Sequence, residues 1–190
     1  LREELQQQGH CFRSLSDTEV ILHLYEEDGI ACVGKLVGMF AFAIWDRHEQ
    51  KLFAARDRIG IKPFYYHYDG SRLLFASEIK AILADESIRA QANTEGLQDY
   101  LTFQFCLEGK TLFKGIQTLE PGHCFVAQLD QGGIGLHPRK YWDVSYDIDD
   151  SHDEAWFVDH LAALIEDAVR MHLRSDVPLG AHLSGGLDSS

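Results

Sequence analysis

A change of hydrophobic period at Gly38 constrains the fold of this chain more than any other feature. Before it, Val20, Ile21, Leu24 and Tyr25 recur at helical spacing. After it, Met39-Phe40-Ala41-Phe42-Ala43-Ile44-Trp45 is apolar at every position. A strand turns successive side chains to opposite faces, so such a run has to be covered on both. Leu52 to Ala55, Phe64 to Tyr68 and Leu73 to Ala76 are predicted as three more strands. Turn signals separate them at Asp46-Arg47-His48-Glu49, at Gly60 with Pro63, and at Asp69-Gly70. Links this short favour antiparallel pairing. A late strand, Cys124 to Leu129, is expected between the turns Pro121-Gly122 and Gln131-Gly132-Gly133.

The helical segments frame these strands. Leu1 to Gln8 reads as the end of a helix stopped by Gly9, so the chain is expected to begin inside an element. Ser16-Asp17-Thr18-Glu19 has the form of a capping box: Ser16 caps a helix that runs to Gly29, and Glu19 reaches back. Ser77 is expected to cap a short helix to Leu83, and another helix starts near Thr94 with Leu97, Tyr100 and Leu101. Asp143 to Asp153 holds five aspartates and few large aliphatics, the composition of a linker. Ser151-His152-Asp153-Glu154 repeats the capping-box pattern, and Phe157, Leu161, Leu164, Ile165 and Ala168 mark the apolar face of a long helix ending near Arg174. Gly180 to Leu183 then reads as a short strand. The expected division is a first domain over 1–142, a linker over 143–153 and the start of a second domain over 154–190.

Composition narrows the function. A formal charge of −13 argues against nucleic acid or an anionic membrane as partner, and no apolar run reaches membrane-spanning length. Cys11, Cys32, Cys106 and Cys124 are widely spaced without a CxxC pair, so they are expected to be small buried hydrophobes in a reducing cytoplasm. The ten histidines show no metal-ligand spacing and are expected to be ordinary surface or core residues.

Two segments carry chemistry. At one end, Ser184-Gly185-Gly186-Leu187-Asp188-Ser189-Ser190 follows the expected strand. The two glycines allow close approach of a pyrophosphate to the backbone, and three hydroxyls can donate to its oxygens. Asp188 beside a phosphate suits a Mg²⁺ ligand, and the absence of a following lysine separates the loop from the GxxxxGK[ST] type. The alternative is a Gly/Ser-rich surface turn. The segment resembles the SGGxDSS signature of the PP-loop ATP pyrophosphatases. That resemblance implies cleavage of ATP between its α- and β-phosphates and an acyl-adenylate intermediate. Arg174 to Pro178 and Leu183 are similar to the asparagine synthetase version, which implies that Leu183 lines the nucleotide site and that Ser184 and Gly185 contact ATP.

At the other end, Ser16 to Ile21, Gly38 to Ala43, Ala55 to Pro63 and Phe75 to Lys80 resemble, in order and spacing, class II glutamine amidotransferase domains. Together with the loop, the chain is similar to the glutamine-hydrolysing asparagine synthetases. The resemblance implies an α+β N-terminal-nucleophile hydrolase fold, a four-layer αββα arrangement of antiparallel sheets, followed by the first helix and strand of an α/β PP-loop domain. It implies an ATP-dependent carbon–nitrogen ligase with glutamine as amido donor, aspartate and Mg-ATP as further substrates, no prosthetic group, and a homodimer as the candidate assembly. It also implies a cysteine nucleophile at the mature N-terminus, whose α-amino group acts as base. Residue 1 here is leucine and Cys11 is internal with an amide nitrogen, so no catalytic residue for glutamine hydrolysis is expected in this segment. Asp17 matches the family's contact to the glutamine α-amino group; alternatively it favours the helix N-terminus electrostatically. Arg56, Asp57 and Lys62 read as structural or interface residues, with the Arg56-Asp57 pair beside the turn as a salt-bridged corner. The rivals are a related enzyme that adenylates another carboxylate, such as a β-lactam synthetase or a glycan or peptide amidotransferase, and a non-catalytic binding domain.

Overall fold

The computed structural model describes residues 1–187 and divides into two compact units, Leu1–Val144 and Ser145–Ser190. Expectations for Asp188, Ser189 and Ser190 lie outside the described residues.

In the first unit, β1 (Ala41–Asp46), β2 (Lys51–Arg56), β6 (His123–Asp130) and β7 (Gly133–Lys140) form an antiparallel sheet in the order β1-β2-β6-β7. A second antiparallel sheet has the order β4-β3-β5, with β3 at Tyr65–Tyr68, β4 at Leu73–Ala76 and β5 at Ile116–Thr118. Alternation along the strands sorts the core. Phe53, Ala55 and Cys124 face one way, against Leu5 of α1 (Arg2–Gln7), Leu24 and Tyr25 of α2 (Asp17–Asp28), and Cys32, Val33 and Leu36 around the 3-10 turn Gly29–Gly34. Ala54, Phe125 and Ala127 face the other way, against Tyr66 and Leu73 of the second sheet and Phe64 and Leu119 beside its strands. Phe64 and Phe125 meet edge to face with ring centroids 5.9 Å apart. On the far side of the second sheet, Ile116 of β5 packs with Ile82 of α3 (Ile79–Ile82) and Ile88. Helix, sheet, sheet and helix therefore stack in that order, the αββα sequence of layers. The unbroken apolar run arises because β1 lies between both layers: Phe42 and Ile44 pack on the helical side, and Ala41 and Ala43 on the side of the second sheet.

Several expectations need correction. The first and third strands begin at Ala41 and Tyr65, one or two residues later than their apolar runs. β7 was not expected: Gln131-Gly132-Gly133 reads as a turn, and a strand holding Gly135 and Pro138 carries little strand signal; it is an edge strand, where a proline costs no ladder bond. β5, three residues long on the edge of its sheet, is too short to leave a periodic signal. Glu78, not Ser77, precedes α3. Ser16 does cap α2, accepting from Thr18 N–H at 3.2 Å, but Glu19 does not close the box: it accepts from the amides of Arg13 and Ser14, both at 2.7 Å. Cys32 and Cys124 are buried as expected, whereas Cys11 is exposed in the loop after α1. α4 spans Thr94–Phe103, starting at the expected residue.

The second unit consists of α5, Glu154–His172, with irregular segments on either side. Asp153 is its cap and accepts from Trp156 N–H at 2.9 Å, while Ser151 bonds Asp149 instead. The expected strand Gly180 to Leu183 is absent: that segment has no regular structure. A parallel strand exists only by pairing, and no neighbouring strand is present among the described residues of this unit. No residue of α5 is buried; Leu161 and Ile165 are 58% and 55% exposed.

Candidate functional site

A cleft of about 670 Å³ opens between the start of α2 and β1, lined by Asp17, Thr18, Ile21 and Leu22 on one side and Met39 to Trp45 on the other, with Lys62, Pro63 and Ser77 at one end. Its position follows from the sheet order. β1 is an edge strand, so its outer backbone groups have no strand beside them. The floor is apolar because the run that builds β1 is apolar on both faces.

Asp17 sits at the mouth as the first residue of α2. Ser16 is extended, with φ −66° and ψ 142°, which ends the preceding loop and starts the helix. Asp17 is exposed; its Oδ1 lies 3.5 Å from both the Ser16 and Thr18 hydroxyls, long contacts that leave carboxylate capacity for a ligand. The helix N-terminus stabilises its negative charge. The loop behind it is braced. Arg2 donates to the carbonyls of Ser14 and Ser16 at 2.8 and 2.9 Å while lying over the Phe12 ring. Glu19 accepts the Arg13 and Ser14 amides and the Ser14 hydroxyl. Those bonds, the Arg13 amide foremost, hold its carboxyl down to about 2.

Asp57 fixes the opposite wall. Its side chain is 1% exposed and accepts backbone N–H groups from Phe40 (3.3 Å), Ile59 (3.2 Å), Ile61 (2.9 Å) and Lys62 (3.0 Å). Burial opposes its ionisation, but the amides, led by Lys62 and Ile61, outweigh burial and keep the carboxyl below the usual range. Arg56 binds the carbonyls of Lys62 (2.7 Å), Gly60 (2.6 Å) and Leu119 (2.6 Å) and the Thr118 hydroxyl (3.0 Å). The expected Arg56–Asp57 salt-bridged corner is thus corrected: each side chain organises backbone instead of pairing with the other. The reason is steric, since the Asp57-to-Lys62 turn presents its amides to the carboxylate and its carbonyls to the guanidinium. Gly60 lets this happen; at φ +71° it lies where a Cβ would come within 2.8 Å of Pro121 Cγ.

The glutamine amidotransferase domain family matches residues 1–142. The chain belongs to that family. The asparagine synthase family matches residues 160–190 of the same chain. The amidotransferase domain and the segment after it are 46% identical to glutamine-hydrolysing asparagine synthetase 3 of Bacillus subtilis (strain 168), over all of this chain and 30% of that protein. Asparagine synthetase 1 of the same organism is 39% identical over all of the chain and 29% of its own length. Amidase chyE of Penicillium rubens is 36% identical over 94% of the chain and 26% of its own length. The chain thus spans about 30% of the length of the curated relatives it matches. Among solved structures, glutamine phosphoribosylpyrophosphate amidotransferase from B. subtilis superposes with a TM-score of 0.48 at 21% identity, covering 74% of this chain and 26% of that one.

The predicted site residues fall in both units of the structure. Asp17 lines the cleft of the amidotransferase domain. Leu183, Ser184, Gly185 and Gly186 are exposed, with the Gly186 amide 3.4 Å from the Ser184 hydroxyl and open space where a Cβ of Gly185 would be. Asp188, Ser189 and Ser190 lie outside the described residues. Sequence reasoning missed Thr18, Ile21 and Leu22 as cleft residues; their helical spacing on the turn after Asp17 is the signal that could have placed them there. No described helix is long and apolar enough to cross a membrane.

Proposed function

We propose that the protein is an ATP-dependent carbon–nitrogen ligase that converts aspartate to asparagine with ammonia drawn from glutamine. The observation that carries this reading is the 46% identity to an asparagine synthetase along the whole chain, from the Asp17 cleft to the Ser-Gly-Gly loop. Glutamine enters the cleft beside β1, its α-ammonium paired with the Asp17 carboxylate. Cys11 takes no part as nucleophile: its nitrogen is a peptide amide, and it is not among the cleft residues. That role falls to a cysteine with a free α-amino group, as in the resemblance. Mg-ATP is a substrate of the second unit. Leu183 lines the adenine nucleotide pocket, Ser184, Gly185, Gly186, Ser189 and Ser190 grip the pyrophosphate, and Asp188 holds its Mg²⁺. The open surroundings of Gly185 favour close approach by phosphate. The aspartate β-carboxylate attacks the α-phosphate of ATP, giving β-aspartyl-AMP and releasing pyrophosphate, and ammonia then displaces AMP to leave asparagine. The reaction is assigned to the cytoplasm, a reading supported by four cysteines that are all free thiols.

The test uses the complete enzyme. Aspartate-dependent exchange of label between pyrophosphate and ATP is expected, and Ser184→Ala or Asp188→Ala abolishes it. Asp17→Asn raises KM for glutamine at least about tenfold, the scale of one lost charged hydrogen bond, and leaves synthesis from ammonium unchanged. Exchange that ignores aspartate but responds to another carboxylate would move the product to a different amide, the reading that the likeness to amidase chyE keeps in play.

A further inference from the structure

Away from the cleft, three ligand-type atoms from two elements converge on one point. His10 lies in the loop after α1, and His23 and Glu26 are three apart on one face of α2. His10 Nδ1 is 3.0 Å from His23 Nδ1, His23 Nδ1 is 2.7 Å from Glu26 Oε2, and His10 Nδ1 is 3.4 Å from that same oxygen. An ion about 2.0–2.1 Å from all three atoms sits about 1 Å out of their plane, which leaves the fourth tetrahedral position for a further ligand.

The outer contacts orient both rings. His10 Nε2 is 2.8 Å from Glu27 Oε1, so this nitrogen carries the proton and its Nδ1 presents a lone pair inward. His23 Nε2 is buried without a hydrogen-bond partner and faces Glu19 Oε1 at 3.9 Å. If His23 placed its proton on Nδ1, Nε2 would be a buried lone pair turned toward a carboxylate. If it placed the proton on Nε2, two imidazole lone pairs and a carboxylate oxygen would meet with nothing positive among them. A cation at the convergence resolves both arrangements. Both rings are largely buried, with side chains 13% and 14% exposed.

We propose that His10, His23 and Glu26 form a binding site for a divalent transition-metal ion, with Zn²⁺ as the probe, and that Glu27 and Glu19 act as its outer carboxylates. Two imidazoles and one carboxylate select this class of ion over Mg²⁺ or Ca²⁺, which take oxygen ligands. The ion clamps the loop that follows α1 onto α2. That loop ends at Ser16, so the clamp also holds the approach to Asp17.

The test is calorimetric titration of the chelator-stripped full chain with Zn²⁺, alongside nitrogen NMR of the histidine rings. One equivalent is expected to bind, shifting the Nδ1 resonances of His10 and His23 together. His23→Gln is expected to lose at least about tenfold in affinity, and Glu27→Gln, on the exposed rim, about ten- to a hundredfold. Co²⁺ in place of Zn²⁺ should give the visible absorption of a tetrahedral ion, and Mg²⁺ should give no binding at comparable concentration. The NMR reading uses the unmutated chain and so does not depend on any variant folding. Absence of Zn²⁺ uptake, uptake that leaves both Nδ1 resonances in place, or uptake undiminished in His23→Gln would overturn the site and leave a shared proton as the group at its centre.

Discussion

The Tyr141 hydroxyl donates to the main-chain carbonyl of Arg56 at 2.6 Å, across 85 residues of sequence. It ties the end of β2 to the segment after β7, next to the turn that forms one wall of the cleft. Burial pushes the phenol up to about 12, so it stays a donor throughout the ordinary pH range. Tyr141→Phe is expected to cost about 1 kcal/mol, the typical net value of one such bond. Urea unfolding of the two proteins, compared at equal slope, measures it.

Asp57 satisfies more main-chain donors than any other side chain around the cleft. Asp57→Asn keeps the shape but turns an amide NH₂ toward groups that are themselves donors. At least one buried N–H is left unpaired, and about 2–4 kcal/mol of stability is lost. Because the turn from Asp57 to Lys62 also shapes the cleft, the variant should show a raised KM for glutamine together with its lower urea midpoint. An unchanged midpoint would show that the amides find other partners.

The same carboxylate sets an acid limit. Asp57 and Asp69 both have folded-state values depressed below the ordinary one; for Asp69 the Ser71 hydroxyl and amide are the leading causes. A depressed value means that the folded state holds its proton less tightly than the unfolded chain. Their contribution is therefore complete above the unfolded range near about pH 4 and disappears as pH falls through the folded values. The urea midpoint should be flat from neutrality down to about pH 5 and then decline. The decline should be shallower in Asp57→Asn, whose amide does not titrate.

Gly60→Ala is expected to destabilise by about 1–3 kcal/mol. A Cβ there combines positive φ with a 2.8 Å approach to Pro121 Cγ and 3.1 Å to Arg56 Cζ. Pro121→Ala combined with Gly60→Ala should recover part of the loss, and a thermal melt of the pair against the singles reads the coupling.

For α5, amide hydrogen exchange is the informative measurement. Its apolar positions, among them Leu161, Leu164 and Ile165, are exposed, so local opening is limited only by the helix itself. Amides in Glu154–His172 should exchange at least about a hundredfold faster than those of β2 and β6. Comparable protection would mean that this face is covered in solution.

The sequence exposed those parts of the fold that local chemistry decides. The apolar run into β1, the Ser16 cap and the turn at Asp69-Gly70 each follow from a few adjacent residues. β7 was hidden because edge position, not composition, is what permits Pro138 and two glycines in a strand. Gly180 to Leu183 looked like a strand because its residues suit one, but pairing is a property of the neighbours. In the cleft, Asp17 was legible only through the resemblance, since its place after a capping serine equally suits a residue that favours the helix N-terminus. The Met39 to Trp45 wall was legible as a strand but not as a binding surface, since only the sheet order reveals which strand is left at the edge. The His10, His23 and Glu26 grouping was invisible for a similar reason: His10 comes from a separate element, and His23 to Glu26 alone is an ordinary helical spacing.

The division of labour within β2 makes the protein unequally tolerant of changes in length. An extra residue in the Arg47 to Gln50 turn lies in an exposed link between two strands and leaves the pairing of Phe42 with Ala55 intact. The same insertion between Phe53 and Ala54 would reverse every later side chain of the strand, turning Arg56 away from the carbonyls of Gly60, Lys62 and Leu119 that it binds. Natural length variation in this hairpin should therefore collect at its tip.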